Sequence, residues 1–478
     1  MGRPGASLAP VPDGGAKPFW KSSMESRKIR QMPYWNAELE TRAWDEVERW
    51  QAERIAAALP ALRRRSRLYA RLHAGMAAAV PMRSLADLAA VPFTLKDDVR
   101  AAQDSACDDE PLGDNQGAPL ADIVQVIASS GTTGPPLYYG LTRGDLEMFT
   151  DAIANVWFTA GIRPNDVVAH LVGLPMVAGG LPYADGFRRV GATLCWLGGL
   201  PTDRILQEMR RLRVTALLAT TSFALHLAER WGDVGREGGS PSALTKVLGG
   251  GEPGLGQPEI RARIQDGLAI THLRETMGLG DVLPSMWGEC EVQDGMHFNA
   301  QRYVAVELVD PATGQRVPWA DGAVGELVYT AFARDATPMV RYRSRDHALV
   351  VGTRCACGRT SPRIRCIGRT DDMLIYKGMN VFPTAIRDLV AHRFAGQVEP
   401  MLRIWKDSRE QVRFDAAIPV EIEASIPGDD AQRAALSRAI EAEVRKHLQV
   451  RVSVAVLPAG SLPRSAYKNP LVMVKGQA

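Results

Sequence analysis

The chain has 478 residues, 46% of them hydrophobic and 23% charged, with 57 basic against 54 acidic side chains and a formal net charge of +3. That length predicts two or three domains, and the composition excludes a disordered chain. The near balance of charge argues against a dedicated nucleic-acid binder. No apolar run is long enough to cross a bilayer, and Met1 leads into GRPGASLAPVPDGG rather than a signal peptide. The expectation is a cytoplasmic protein that engages neither nucleic acid nor membrane. Its six cysteines would then stay reduced, so clustering among them points to a metal before a disulfide.

In chain order, residues 1–17 are rich in Gly, Pro and Ala and are expected to form a disordered tail. The stretch AELETRAWDEVERWQAERIAAALPALRRRSRLYARLHAG spaces its apolar residues helically, with a break near Pro60, and predicts two amphipathic helices. From about 120 to 330, the runs DIVQVIAS, DVVAHLV, ATLCWLG, VTALLAT and ALTKVLGGG alternate with helical patterns such as PTDRILQEMRRLR. Such alternation predicts an α/β fold with a largely parallel sheet. QRYVAVELVDPATGQRVPWADGAVGELVYT instead alternates with period two around DPATGQ and predicts an antiparallel meander. From residue 369 onward the chain has its own strands and helices, so the expected division is a large domain over 18–368 and a small α+β domain over 369–478, joined at GRTDD.

Between DIVQVIA and LYYGLT lies SSGTTGPP, comprising Ser129, Ser130, Gly131, Thr132, Thr133, Gly134 and two prolines. Such a loop either only turns the chain or aims backbone N–H groups and hydroxyls at an anion, as a phosphate cradle does. It is not a Walker A loop, because no Gly-Lys-Ser/Thr follows at the required spacing.

The loop resembles the phosphate loop of adenylate-forming enzymes, the superfamily of acyl-CoA synthetases, and the likeness is strongest to the phenylacetate–CoA ligase family. The resemblance is carried, in order, by AVPFTLKDDVR, SSGTTGPP, GGGEPG, ECEVQDGMH, GELVYT, RYRSRD, CACGRTSPRI, GRTDDMLIYKGMNVFPTAI and GSLPRSAYKN, over roughly residues 34 to 470. It implies that an acid is activated with ATP and Mg²⁺ as an acyl-adenylate, and that the acyl group then passes to coenzyme A. The loop would grip the β- and γ-phosphates, and Gly250, Gly251, Glu252 and Pro253 would lie along adenine. Met277 and Gly278 precede Asp281, which stands for a magnesium-binding glutamate; a carboxylate suits that hard cation. Asp346 would accept from the ribose hydroxyls, and Lys468 would reach the acyl carboxylate and α-phosphate. Arg369 and Asp371 match an interdomain joint about which the small domain moves. Met176, Tyr183 and Asp185 fall where relatives shape the acyl pocket; core packing explains the Met and Tyr equally well, and Asp185 could meet an amino or ring-NH substituent.

Departures from the pattern are Pro135 where relatives carry lysine, Met277 for tyrosine, Gly280 for a hydroxyl residue, Asp281 for glutamate, and Tyr467 for glycine. Apart from the chemistry, Cys290, His297, Cys355 and Cys357 offer three thiolates and an imidazole, a tetrahedral set for a structural Zn²⁺, with buried free thiols as the alternative. The expected activity is an AMP-forming aryl- or arylacetate–CoA ligase. An adenylating enzyme with an amine or carrier-protein acceptor, and a non-catalytic nucleotide-binding homologue, stand as alternatives. The acid, the pathway and the oligomeric state are not written in the sequence, and a homodimer is compatible with it.

Overall fold

One turn of helix, Ala37–Glu40 (α1), leads into Trp44–Arg65 (α2), which continues through Pro60 instead of breaking there. A proline removes one helix hydrogen bond, but Ile55, Leu59 and Leu62 are buried in the core and hold the helix on both sides of it. The break falls at Ser66, whose hydroxyl caps Arg67–Leu72 (α3), so the expected boundary moves six residues on. These elements belong to a computed structural model that describes residues 33–77, 80–129, 136–172, 176–235, 242–252, 254–377, 379–408, 411–462 and 470–476. The expected tail, residues 1–17, lies outside the described residues.

After Lys96–Gln103 (α4), Ile123–Ala128 (β1) pairs antiparallel with Tyr138–Thr142 (β2) as a separate two-stranded ribbon. DIVQVIAS therefore does not join the parallel sheet that its place in the alternation predicted. Thr142 and Asp145 then form a reciprocal cap on Arg143–Thr159 (α5), a helix buried along most of its length.

The strands Val167–His170 (β3), Thr193–Trp196 (β4), Ala216–Ala219 (β5), Lys246–Gly250 (β6) and His272–Leu279 (β7) pair in parallel. Crossovers run through Leu181–Val190 (α6), Thr202–Arg211 (α7), Thr221–Gly235 (α8) and Pro258–Leu268 (α9). β5 is buried throughout and reads ALLA, as expected of a strand covered on both faces. From β7 the same sheet turns antiparallel through Leu283–Glu289 (β8), Met296–Phe298 (β9), Val304–Val309 (β10), Val324–Ala331 (β11), Met339–Gly352 (β12) and Arg363–Arg369 (β13). The meander is therefore no separate layer but the continuation of one eleven-stranded sheet, in the order β10-β11-β12-β13-β9-β8-β7-β6-β5-β3-β4.

The chain leaves this sheet at Arg369. Leu374–Tyr376 (β14) and Met379–Val381 (β15) form a hairpin. Pro383–Arg393 (α10), Val398–Lys406 (β16), Arg413–Phe414 (β17), Ile418–Ala424 (β18), Asp430–Leu448 (α11), Val452–Leu457 (β19) and Val472–Val474 (β20) follow. β16, β18, β19 and β20 make a four-stranded sheet. Ile386 and Val390 of α10, Ile440 and Val444 of α11, and Ile404 and Val420 of the sheet form a core separate from that of the large sheet. The whole is a mixed α/β molecule with a large sheet and a smaller C-terminal α+β unit.

Candidate active site

The site is built where β6 and β7 end, the edge at which parallel α/β sheets place their ligands. At the end of β6, a Cβ on Gly250 would lie 2.5 Å from the carbonyl oxygen of Thr276, so only glycine lets these strands approach. Gly251 follows, and Glu252 accepts from the Ser222 hydroxyl at 2.6 Å, which ties the loop to the start of α8. On β7, Met277 pairs with Trp287, and a Cβ on Gly278 would meet the carbonyl of Pro284 at 2.1 Å. The glycine thus fixes the tight β7–β8 turn that carries Asp281.

Asp281 is 2% exposed. Its carboxylate accepts from the Tyr139 hydroxyl and from Tyr342, and Lys96 Nζ lies 3.8 Å from Oδ1. Burial first, and then the Asp281 charge, push both phenols well above their ordinary range, so they donate as neutral groups. The fully buried Arg334 donates to the backbone carbonyls of Asp281 and Val282 at 2.7 and 3.0 Å, fixing the turn itself. Lys96, Tyr139, Tyr342 and Arg334 are not singled out by the sequence. Signals existed for three of them: Lys96 belongs to AVPFTLKDDVR, Tyr139 belongs to the LYYGLT that follows the glycine- and hydroxyl-rich loop, and Tyr342 stands four residues before Asp346.

Ser129 closes the neck of that loop. Its N–H donates to the Leu137 carbonyl at 2.9 Å, and its Oγ accepts from the Leu137 N–H at 3.1 Å. A Cβ on Gly280 would lie 3.9 Å from Ser129 Cα, so loop neck and Asp281 turn are neighbours. Asp346 is 5% exposed, on β12, ion-paired with Arg369 of β13. The strand carries Arg341 and Arg345 at φ of 48° and 63°, irregularities that re-aim the residues around Tyr342 and Asp346. The positive charge of Arg369 is felt by Tyr342, which joins the two carboxylate environments. Ser130, Gly131, Thr132, Thr133, Gly134, Pro253 and Lys468 lie outside the described residues, as does the side chain of Asp371.

Of the three acyl-pocket candidates, Tyr183 donates to the Pro284 carbonyl at 2.6 Å with its ring edge-on to Trp157. Met176 is 51% exposed, and its carbonyl accepts from the N–H of Ala128, at the end of β1. Asp185 is paired with Arg188 at 2.9 Å on the outer turn of α6, and no described contact brings it to the Asp281 turn.

A second cluster lies apart from these carboxylates. The donor atoms of Cys290, His297, Cys355 and Cys357 all fall within 4.8 Å of one another. Cys290 and Cys355 sulphurs are 3.7 Å apart, and Cys357 Sγ is 3.4 Å from His297 Nε2. A tetrahedron with metal–sulphur bonds of about 2.3 Å and a metal–nitrogen bond of about 2.0 Å has edges of roughly 3.5–3.8 Å, so the donor set fits such an ion. His297 turns Nδ1 to the carbonyl and hydroxyl of Ser361, leaving Nε2 for the cluster. A hydrogen bond from Cys290, with His297 beside it, favours the Cys357 thiolate.

The sequence matches the AMP-binding enzyme family over residues 50–331 and the AMP-binding enzyme C-terminal domain over 378–474. A phenylacetate-coenzyme A ligase from Thermus thermophilus is 32% identical over 402 residues, covering 80% of this chain and 86% of that protein. The chain belongs to the AMP-binding enzyme family. Within that family it is phenylacetate-CoA ligase-like. Its fold superposes on 2-hydroxyisobutyryl-CoA ligase in the postadenylation state with a TM-score of 0.82 at 27% identity, covering 93% of each chain. Against the same enzyme in the thioesterification state the TM-score is 0.66, over 93% of this chain and 92% of that one. Among the described residues, no helix is long and apolar enough to cross a membrane.

Proposed function

We propose that this chain is an AMP-forming acid–CoA ligase acting on an aromatic acid of the arylacetic type. A carboxylate oxygen of the acid bonds to the α-phosphorus of ATP as the bond to the β-phosphate breaks. The thiol of coenzyme A then loses its proton, its sulphur bonds to the acyl carbon, and AMP leaves. One observation supports the reading: the Ser129 loop neck lies beside the Asp281 turn, and Tyr342, which donates to Asp281, feels the charge of Arg369, the ion-pair partner of Asp346, in a chain whose relatives are phenylacetate-coenzyme A ligases.

Asp281 fits a magnesium ion, which would neutralise phosphate charge; its two phenol donors orient the carboxylate without cancelling it. Lys96, 3.8 Å from Asp281, would supply the phosphates with a cation where Pro135 replaces a lysine in the sequence pattern. Asp346, oriented by Arg369, accepts from the ribose hydroxyls. Ser129, Ser130, Gly131, Thr132, Thr133 and Gly134 cradle the β- and γ-phosphates, Gly250, Gly251, Glu252 and Pro253 line adenine beside Met277 and Gly278, and Lys468 stabilises charge at the α-phosphate. Met176 and Tyr183 border the acyl end, and Asp185 would have to leave Arg188 to meet an amino substituent. Residues 18–368 form the adenylating domain and 369–478 the mobile domain, hinged at Arg369 and Asp371.

The second cluster is assigned to a structural Zn²⁺. Four protein ligands leave no open position, so the ion would staple the β8–β9 turn to the β12–β13 loop without taking part in the reaction. The protein is read as cytoplasmic, and light scattering decides between monomer and homodimer.

Pyrophosphate release over a panel of aromatic acids, with coenzyme A, amines and a holo-carrier protein competing as acceptors, tests the reading. A phenylacetyl thioester of coenzyme A is the expected product. An amide or a loaded carrier would reassign the acceptor, and silence across the panel would leave a non-catalytic nucleotide binder.

A further inference from the structure

The C-terminal unit meets the large domain at α9 and β13, and polar side chains join the two. Arg263 of α9 donates from Nη2 to Glu399 Oε2 of β16 at 2.8 Å. Glu259, in the first turn of α9, pairs with His392 in the last turn of α10. Each group there complements its own helix dipole, the acid at an N-terminus and the imidazole at a C-terminus. Gln257 hydrogen-bonds Asp388, and the Thr384 hydroxyl donates to the Ile367 carbonyl at 2.6 Å. A narrow crevice runs behind these contacts, between Leu225 and Ile260 on one side and Met401 and Leu471 on the other.

The Arg263–Glu399 pair differs from the rest in how its members are held. Glu399 keeps Oε1 on the Ser425 hydroxyl at 2.8 Å, within the C-terminal unit. Arg263 lies 3.7 Å from Glu229 of α8, within the large domain. If the domains part, neither charge is stranded: Glu399 retains its serine and Arg263 retains an acid. Breaking such a pair avoids the cost of an uncompensated buried charge, so it can open and close in each turnover.

We propose that Arg263 and Glu399 are positioning residues forming a reversible latch, one that holds the C-terminal unit in the orientation seen here, which matches a relative's postadenylation state with a TM-score of 0.82 against 0.66 for its thioesterification state, and that must open for transfer to coenzyme A. The proposal rests on the two-step ligase reading above. The two side chains are 36% and 13% exposed. A partly exposed pair of this kind shifts an equilibrium between two orientations by roughly two- to five-fold.

The test compares Arg263→Ala, Glu399→Ala and the double variant with wild type, each checked for an unchanged melting temperature. Three quantities are read: pyrophosphate release with phenylacetate and Mg·ATP, thioester formation from supplied phenylacetyl-adenylate and coenzyme A, and domain arrangement by small-angle X-ray scattering with ATP bound. Each single variant should slow adenylation roughly two- to five-fold relative to thioester formation, and the double should be no worse than the poorer single. An unchanged ratio of the two half-reactions, an equal fall in both, or additive losses in the double overturns the latch. If wild type releases no pyrophosphate, the ligase reading fails by itself, and scattering then decides the latch: a shift toward open arrangements in the singles supports it, identical curves refute it.

Discussion

Lys96 Nζ stands 3.8 Å from Asp281 Oδ1, although 185 residues separate the two in sequence. The lysine opens α4, the aspartate ends a tight β-turn, and that turn neighbours the neck of the glycine- and hydroxyl-rich loop. A cation and a carboxylate placed side by side beside a phosphate loop can bind a metal-bound triphosphate without a large net charge in the empty site. Lys96→Ala should lower kcat/KM for adenylation by roughly 100-fold, as loss of one preorganised electrostatic donor does. Thioester formation from supplied acyl-adenylate should fall less, and single-turnover assays of the two half-reactions measure the difference.

Asp346 is paired with Arg369 across the β12–β13 ladder. Asp346→Ala removes the acceptor proposed for the ribose and the ion-pair partner of Arg369. The Kd for ATP should rise roughly ten- to hundred-fold, the range for losing hydrogen bonds to a charged group. Calorimetric titration of ATP checks this, and an unchanged Kd removes the ribose role.

For the thiolate cluster, wild-type protein should carry one zinc per chain by elemental analysis. Cys355→Ser should lose metal and melt about 5 °C or more lower. The effect should reach the N-terminal segment, because Tyr34 donates to the Cys357 carbonyl at 3.0 Å and Arg359 holds the buried Glu40 at 2.8 Å. Limited proteolysis should therefore cut residues 33–42 faster in the variant.

His170 is buried, bonded through Nε2 to the Gly180 carbonyl at 3.1 Å, and burial lowers its pKa from 6.5 to about 4. The unfolded chain thus binds a proton between pH 6.5 and pH 4 that the folded chain refuses. Stability therefore rises with pH across that window and is lost on acidification. His73, also lowered to about 4 by burial, acts in the same direction. Glu275, raised to about 7 by burial and the nearby Glu289, acts against both, since it favours the folded state when protonated. His170→Gln should flatten the stability–pH slope by about one proton, ~1.4 kcal/mol per pH unit. Urea melts of both proteins between pH 4 and pH 7 read that slope.

The parallel half of the sheet was legible because β3, β5 and β6 are short apolar runs between helical patterns, and the meander because β10 and β11 alternate around DPATGQ. Their fusion into one sheet was not, since it depends on β9 pairing with β13, a partner far along the chain that no local pattern encodes. β1 reads like its parallel neighbours, and only its partner in LYYGLT sets it apart. Pro60 misled because tertiary burial of Ile55, Leu59 and Leu62 outweighs a local helix preference. In the site, Asp281 and Asp346 were found through motifs. Lys96, Tyr139, Tyr342 and Arg334 matter through contacts made only on folding. The four metal-type ligands were suggested by residue type and by the family resemblance, and the fold supplies their convergence.

An oxygen-18 transfer experiment tests the central claim most directly. Phenylacetate labelled in both carboxylate oxygens is turned over with Mg·ATP and coenzyme A, and the products are weighed by mass spectrometry. One labelled oxygen in AMP, with none in pyrophosphate, is the expected result, because the carboxylate oxygen that attacks phosphorus leaves with AMP. Unlabelled AMP, label in a phosphate product, or no turnover of the acid would contradict it.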